Sequence, residues 1–420
     1  MTEELDVFTT KDRHLNSHRV ARSEQLMTFV RSIAAELEAY EVFLGLRARA
    51  RKPGDQRVFE RQVECLVCEA LLSDLVHPCG WVAVTRSKQI LGHASRYYSS
   101  VMGRALPYIM DRLASPEIGL LEVVPGMVNP FGGVNSRTTY RATDGLLARA
   151  AELNLTYADF GRDDDEEVVI LKAEKQRGQS ARIPYADDER TNALRAEVQT
   201  INAWLVGADI ELAEDFPSVD ASDRKMTRSF NNGSFGHGGR VNGGFWQGMT
   251  KPQRRSILID GCETVTLDYR QMGPSIHYGL AGIPFNGDAY AVPGYERHRS
   301  GIKQVFGAMT HAARKFNRLD DLDMSSLPAG VKLTEVCRDI ERHHAPIADR
   351  FYCRSGMEAM RTESDIIVAV MLELRQRGIV GLPIHDAVLV SEDQADQAEE
   401  VMLAMFTQHT GNTVAVSREC

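Results

Sequence analysis

The chain has 420 residues, 43% of them hydrophobic and 25% charged, which predicts two or three globular domains and excludes a disordered, collagenous or coiled-coil protein. Against 58 Asp and Glu stand 49 Lys and Arg, a formal charge of −9, so the chain is not basic all over and any polyanion-binding surface must be local. No run of about 18 apolar residues is present to span a bilayer. The polar, acidic opening MTEELDVFTTKD lacks a signal-peptide core, and seven scattered cysteines are too few for a disulfide framework; a cytosolic chain with reduced thiols is expected.

In chain order, residues 57–77 read as a helix, with Val63, Leu66, Val67, Ala70 and Leu71 at helical spacing. A short strand at Trp81–Val84, a turn at Gly92–Ser95 and a second helix near Ser100–Ala114 follow. Gly119–Val124 and Arg137–Ala142 read as strands flanking the Gly/Asn-rich loop Asn129–Ser136. Helix, helix, hairpin is the winged-helix order, so residues 1–155 are expected to form a nucleic-acid-binding module. Its contacts would be Arg96, Tyr97, Tyr98, Arg104 and Arg137. The window 80–142 supports this with seven Lys/Arg against three acids, since phosphate binding needs clustered positive charge. Cys65-x2-Cys68 with His77 and Cys79 has the ligand types of a zinc site, but the spacing is unusual and the first two fall on the apolar side of a helix; buried thiols are expected.

Residues 156–225 are read as a connector or thumb-like helical element, with an acidic run at 163–167 and an amphipathic helix near Asn192–Leu205. Two further windows are basic, 221–260 and 295–318. The Gly236–Gly244 stretch lacks the Gly-Lys-Ser/Thr ending of a phosphate loop and the frame of a dinucleotide fold. Phe245 and Trp246 after it are candidates for template contact, with turn chemistry and core packing explaining that stretch about equally well. His343 and His344 are expected on the surface at a helix end.

The chemistry lies further on. Glu263–Leu267 alternates like a strand and delivers Asp268 at its end. Ile379–Ile384 and Ala387–Val390 read as two strands joined at His385–Asp386, which puts a second aspartate at a hairpin turn. Two aspartates at neighbouring strand ends can hold two divalent metals about 4 Å apart, the arrangement phosphoryl transfer uses. Between them Tyr295–Arg318 carries the apolar stripe Ile302, Val305, Phe306 and Met309. On an adjacent face Arg299 and Lys303, extended by Arg314, form a row of cations suited to the β- and γ-phosphates of a nucleotide.

Taken together these residues resemble the family A DNA polymerases and the single-subunit phage-type RNA polymerases. The first motif is Leu267-Asp268-Tyr269-Arg270-Gln271-Met272-Gly273, the second Arg299-x3-Lys303, and the third Ile384-His385-Asp386-Ala387-Val388-Leu389-Val390. Gly287-Asp288-Ala289-Tyr290 is similar to the Asp-x-His/Tyr element that precedes the fingers helix, and Glu363–Val368 to the helix before the third motif. The likeness covers about residues 225–395.

It implies an α+β right-hand palm and fingers core over 226–420, catalysing template-directed nucleotide addition with two Mg²⁺ or Mn²⁺ ions on Asp268 and Asp386. Arg299 and Lys303 would hold the triphosphate; Tyr269, Gly273, His311 and Arg240 would lie at the nucleotide. His385 would lie near the primer terminus. Gly273 stands where the DNA polymerases have a glutamate that excludes ribonucleotides, and Ala387 replaces a second acid, both as in the RNA polymerase branch. Gly307 and His311 replace the aromatic residue and tyrosine of the fingers helix. The expectation is a small DNA polymerase with weak sugar discrimination and no proofreading, serving replication of a mobile element, acting on DNA template, primer and nucleoside triphosphates without a membrane. The alternatives are a primase or RNA polymerase, and a DNA-binding replication initiator with an inactive polymerase fold.

Overall fold

The computed structural model describes residues 13–76, 80–127, 136–176, 178–214, 216, 219–320 and 323–419. The chain is mixed α+β and divides into two compact units, one of residues 1–167 and 215–223, the other of 168–214 and 224–420. No helix among the described residues is long and apolar enough to cross a membrane.

In the first unit the order is β1 (Arg13–His14), β2 (Arg19–Ala21), α1 (Glu24–Phe43), α2 (Pro53–Val76), β3 (Val82–Val84), α3 (Leu106–Leu113), β4 (Leu121–Val124), β5 (Thr138–Ala142), α4 (Asp144–Ala150) and β6 (Phe160–Arg162). Ser23 caps α1 by accepting from the Leu26 amide. The central helix α2 buries Val63, Leu66, Val67 and Ala70 together with Cys65 and Cys68. Burial pushes both thiols up, so they are inert core groups; His77 and Cys79 lie outside the described residues. β4 and β5 form an antiparallel hairpin and β3 pairs antiparallel with β5. The helix read over Ser100–Ala114 is broken: a single 3₁₀ turn at Ser100–Met102 ends at Gly103, and α3 begins two residues before Tyr108, with Pro107 in its first turn. The loop Asn129–Ser136 lies almost wholly outside the described residues.

The connector expected over 156–225 is not a unit of its own. β6 pairs with β2 in the first unit. Asp220 is claimed by the same unit because Arg13 and Arg19 hold it at 2.6 and 2.5 Å; burial pushes that carboxyl up, but the two guanidinium groups bring it down to about 2. The intervening helix α5 (Glu189–Gly207) belongs to the second unit, where the Asn202 amide bonds both the carbonyl and the N–H of Met226. The boundary read at 155/156 therefore falls at 167/168. Long-range ion pairs and amide bonds decide it, and these leave no local sequence signal.

The second unit continues with β7 (Val169–Leu171), α5, β8 (Ile210–Leu212), β9 (Met226–Asn231), β10 (Ser234–Gly243), α6 (Phe245–Gly248), α7 (Lys251–Arg254), β11 (Ile257–Ile259), β12 (Thr264–Tyr269), α8 (Met272–Leu280), α9 (Arg299–His311), α10 (Leu333–His343), α11 (Gly356–Gln376), β13 (Gly381–Ile384), β14 (Ala387–Ser391), α12 (Ala395–Thr410) and β15 (Val416–Glu419). β9 and β10 join through Asn232-Gly233, both at positive φ, the turn that matches strand twist. The sheet that matters most has the order β13-β14-β12-β15. In β12 burial alternates strictly: Val265, Leu267 and Tyr269 are buried while Thr264, Thr266 and Asp268 face the other side. The apolar stripe of α9 packs in a separate cluster with α10.

Candidate active site

Antiparallel pairing sets Asp268 opposite Ala387, the residue next to Asp386. Ile384 pairs with Ala387, so His385 and Asp386 form a two-residue turn, with His385 at φ 58°. The two aspartates are thus one register step apart at the same end of the sheet. One oxygen of Asp268 is buried with no hydrogen-bond partner. Burial, then the Asp386 charge, then that of Glu419, push the Asp268 carboxyl up to about 6. A buried carboxylate oxygen without a donor beside a second carboxylate is what a bound cation satisfies. Among the described residues no third side chain completes a His/Cys/Asp/Glu cluster. Two carboxylates nonetheless suit Mg²⁺, which is usually held by one or two of them, with water and substrate phosphate filling the shell. The residues present fit the group.

The sign of the pH effect follows. Asp268 has a folded pKa above its ordinary 3.8, so its protonation stabilises the fold fully below that value, and the gain is lost as pH rises through about 6. In metal-free buffer at pH 8 an Asp268→Asn chain should melt above the wild type, by on the order of 1 kcal/mol once solvent screening is allowed for. Added Mg²⁺ should close that gap at pH 8 and do little at pH 5; equal melting curves throughout would count against the cation site.

Cations face the carboxylates from α9. Lys303 is exposed and its charge acts on Asp268. Arg299, one turn earlier, is held by Asp288, whose oxygens accept from Nε at 2.7 Å and Nη2 at 3.3 Å, and it lies over the Tyr290 ring. The remaining donor, Nη1, is left for a ligand. The segment carrying Asp288 is pinned on both sides. Gln271, at φ 57° just after β12, accepts from the Ala289 amide at 2.5 Å and donates to the Gly287 carbonyl. His344 donates from Nε2 to the Ala289 carbonyl and accepts at Nδ1 from the Tyr278 hydroxyl; burial lowers it to about 4, so it is neutral. Strand, glutamine, loop, aspartate and arginine form one hydrogen-bonded chain from the carboxylates to the helix.

Several expected positions differ. His344 is fully buried, and only His343 is exposed. Tyr269 points to the opposite face of β12 from Asp268; its hydroxyl donates to the Met402 carbonyl at 2.6 Å and it packs on Phe406, so it is a core residue and not a nucleotide contact. Phe245 and Trp246 are buried too, and the indole N–H donates to the Pro383 carbonyl at 3.0 Å; they support β13 and cannot reach a template. Arg314 is not on the cationic face, because α9 ends at His311 with Ala312 as its extended cap. Arg240 donates to Glu363 at 2.8 Å; burial raises Glu363, which lies within range of the charges of Asp386 and His311. His311 is exposed, its ring against Gly356. A Cβ on Gly273 or Gly307 would meet nothing within 4 Å, so both border open space. In the first unit Arg104 and Arg137 are exposed and Arg96 is paired with Glu167.

Glu419 and Lys251 escaped the sequence reading. They pair at 2.6 Å, and both charges act on Asp268. Thr266 faces Glu419 across β12 and β15, a register that only the folded sheet supplies.

No protein-family model and no curated protein matches the chain. Among solved structures it is similar to the POL domain of Pol1 from M. smegmatis, in complex with DNA primer-template and dNTP, at a TM-score of 0.32 and 12% identity over 55% of this chain and 50% of that one. The chain thus spans about half the length of that domain. Likeness of this degree does not establish a shared fold.

Proposed function

We propose that the second unit is a template-directed nucleotidyltransferase that extends a nucleic-acid chain, in the manner of a small DNA polymerase without proofreading, and that the first unit binds nucleic acid as a winged-helix-like module. The observation that carries this reading is the placement of Asp268 and Asp386 one register step apart, with an unpartnered buried oxygen between charges that Lys303 faces. Divalent ions held there would activate a primer 3′-hydroxyl and offset charge on the departing pyrophosphate. Arg299 Nη1 and the Lys303 ammonium would bind the non-reacting phosphates, and Asp288 would keep the guanidinium pre-oriented so that less entropy is lost on binding. His385, exposed at the turn beside Asp386, would lie at the primer end. Arg240, fixed by Glu363, would meet the strand as it leaves the site.

The test is an extension assay with deoxynucleotides or ribonucleotides, each with and without an annealed primer, at Mg²⁺ concentrations spanning zero to millimolar. Primer-dependent product supports the reading; product without a primer points to the primase or RNA polymerase branch. Absence of product in all four mixes, with nucleic-acid binding intact, supports an inactive initiator instead.

Open space at Gly273 adds a prediction. A side chain there meets nothing within 4 Å, so a glutamate fits without displacing the fold, and on the resemblance to the DNA polymerases it would crowd a sugar 2′-hydroxyl. Gly273→Glu should therefore lower ribonucleotide relative to deoxynucleotide incorporation by roughly tenfold or more. Competitive incorporation assays read this directly, and an unchanged ratio defeats the steric account.

A further inference from the structure

The first unit carries an aromatic surface that the fold does not use. Tyr108 is 62% exposed on α3, Tyr98 is 48% exposed, and Ile90 is 44% exposed. Large apolar groups left exposed mark an interaction site where they share a surface. His93 meets Tyr98 edge to face, ring centroids 5.8 Å apart. Gly92, beside His93, donates its N–H to the Met102 carbonyl at 2.7 Å and holds φ at +79°. A Cβ there would stand 3.0 Å from Arg104 Cγ. The arginine stem therefore lies flat on bare glycine backbone, two residues before α3 begins and four before Tyr108. Gly92 thus brings Arg104 beside the His93–Tyr98 pair, and the turn closed by the Leu106 amide on the Gly103 carbonyl carries the same arginine into α3 one helical turn before Tyr108. Neither Arg104 nor Lys88, which is also exposed, has an ion partner among the described residues, whereas the acid of α3, Asp111, is neutralised by Arg86. The local charge is positive.

From this surface we infer that the first unit binds unpaired nucleotides, with Tyr98 and Tyr108 stacking on bases and Arg104 meeting the phosphate chain. The inference rests on the reading of this unit as a nucleic-acid-binding module and narrows it to single strands. A helix that reads duplex DNA presents donors and acceptors to base edges in the major groove. The exposed positions of α3 hold instead Tyr108 and Asp111, the latter taken up by Arg86, and the half-buried Arg112 is taken up by Glu41, so the helix offers no free base-edge donor pair. A phenol ring matches the flat face of a base, and that face is available only when the base is not stacked in a duplex.

The test measures binding of the full chain to a labelled 20-nucleotide single strand and to a blunt duplex of the same sequence, by fluorescence anisotropy across a salt series. The double variant Tyr98→Ala/Tyr108→Ala should weaken single-strand binding by about tenfold or more and leave duplex binding unchanged; the Tyr→Phe pair should bind like the wild type. Arg104→Ala should also lower the salt slope by about one contact, which the tyrosine variants should not do. Equal loss on both nucleic acids, or no loss on either, overturns the assignment while leaving the module a nucleic-acid binder. A wild-type chain that binds neither strand form overturns the module reading itself. Unchanged melting of the variants, expected of such exposed side chains, separates binding from folding.

Discussion

An Asp386→Ala chain should form no detectable extension product while melting at or slightly above the wild-type temperature in metal-free buffer. The two effects have one cause. Asp386 lies close enough to Asp268 to raise its carboxyl, so removing it relieves repulsion between like charges in the folded state. The same removal takes away one of two acidic side chains able to anchor a cation, and with it several kcal/mol of transition-state stabilisation, on the order of a thousandfold or more in rate. Asp386→Asn should behave alike, because a neutral amide keeps the shape and loses the charge. Single-turnover extension and a thermal melt on one preparation check both halves. Retained extension in either variant would defeat the proposed chemistry outright, and a collapsed melting curve would show that the residue is structural.

Trp246→Ala should lower the melting transition of the second unit by the equivalent of about 3–5 kcal/mol. The indole is fully buried, and its N–H is bonded to Pro383 on β13, the strand that ends at the His385–Asp386 turn. Gln247 donates to the same carbonyl at 2.8 Å, so that acceptor keeps a partner and the loss is chiefly one of packing. Gly244 shows how closely the ring is seated: a Cβ there would come within 2.4 Å of it, and its φ is +73°. Trp246→Phe should recover most of the stability. If Trp246 instead contacted a template, the alanine variant would lose nucleic-acid affinity with no change in melting, and that pairing of results would reverse the present assignment. With two compact units in the chain, the shift must be read on the unit that moves, because a single two-state fit does not apply.

Much of the candidate site was legible because it is written in local patterns. The alternation of β12 places Asp268 on a strand, the apolar run before His385 and the one after Asp386 define a hairpin, and the 3.6-residue stripe of α9 leaves Arg299 and Lys303 on one exposed face. Each of these signals lies within about 20 residues. The misreadings share a different character. Tyr269 adjoins a catalytic-looking aspartate and Trp246 follows a glycine-rich stretch, and composition does not say whether such a ring faces a ligand or the core. His344 adjoins an exposed histidine and the end of α10, yet the last turn of that helix carries it inward to a carbonyl 55 residues away in the chain.

By itself, the sequence determined the strand that delivers Asp268, the hairpin that carries Asp386, the helical face of Arg299 and Lys303 and the glycine at 273, because backbone periodicity and turn chemistry are properties of neighbouring residues. The tertiary structure alone decided that Asp268 and Asp386 lie one register step apart, that Asp288 holds Arg299, that Glu419 and Lys251 stand beside the carboxylates, and that 215–223 returns to the first unit. Those facts depend on strand register and on ion pairs between distant segments. Their energies come from burial and charge proximity, which exist only once the chain has closed on itself.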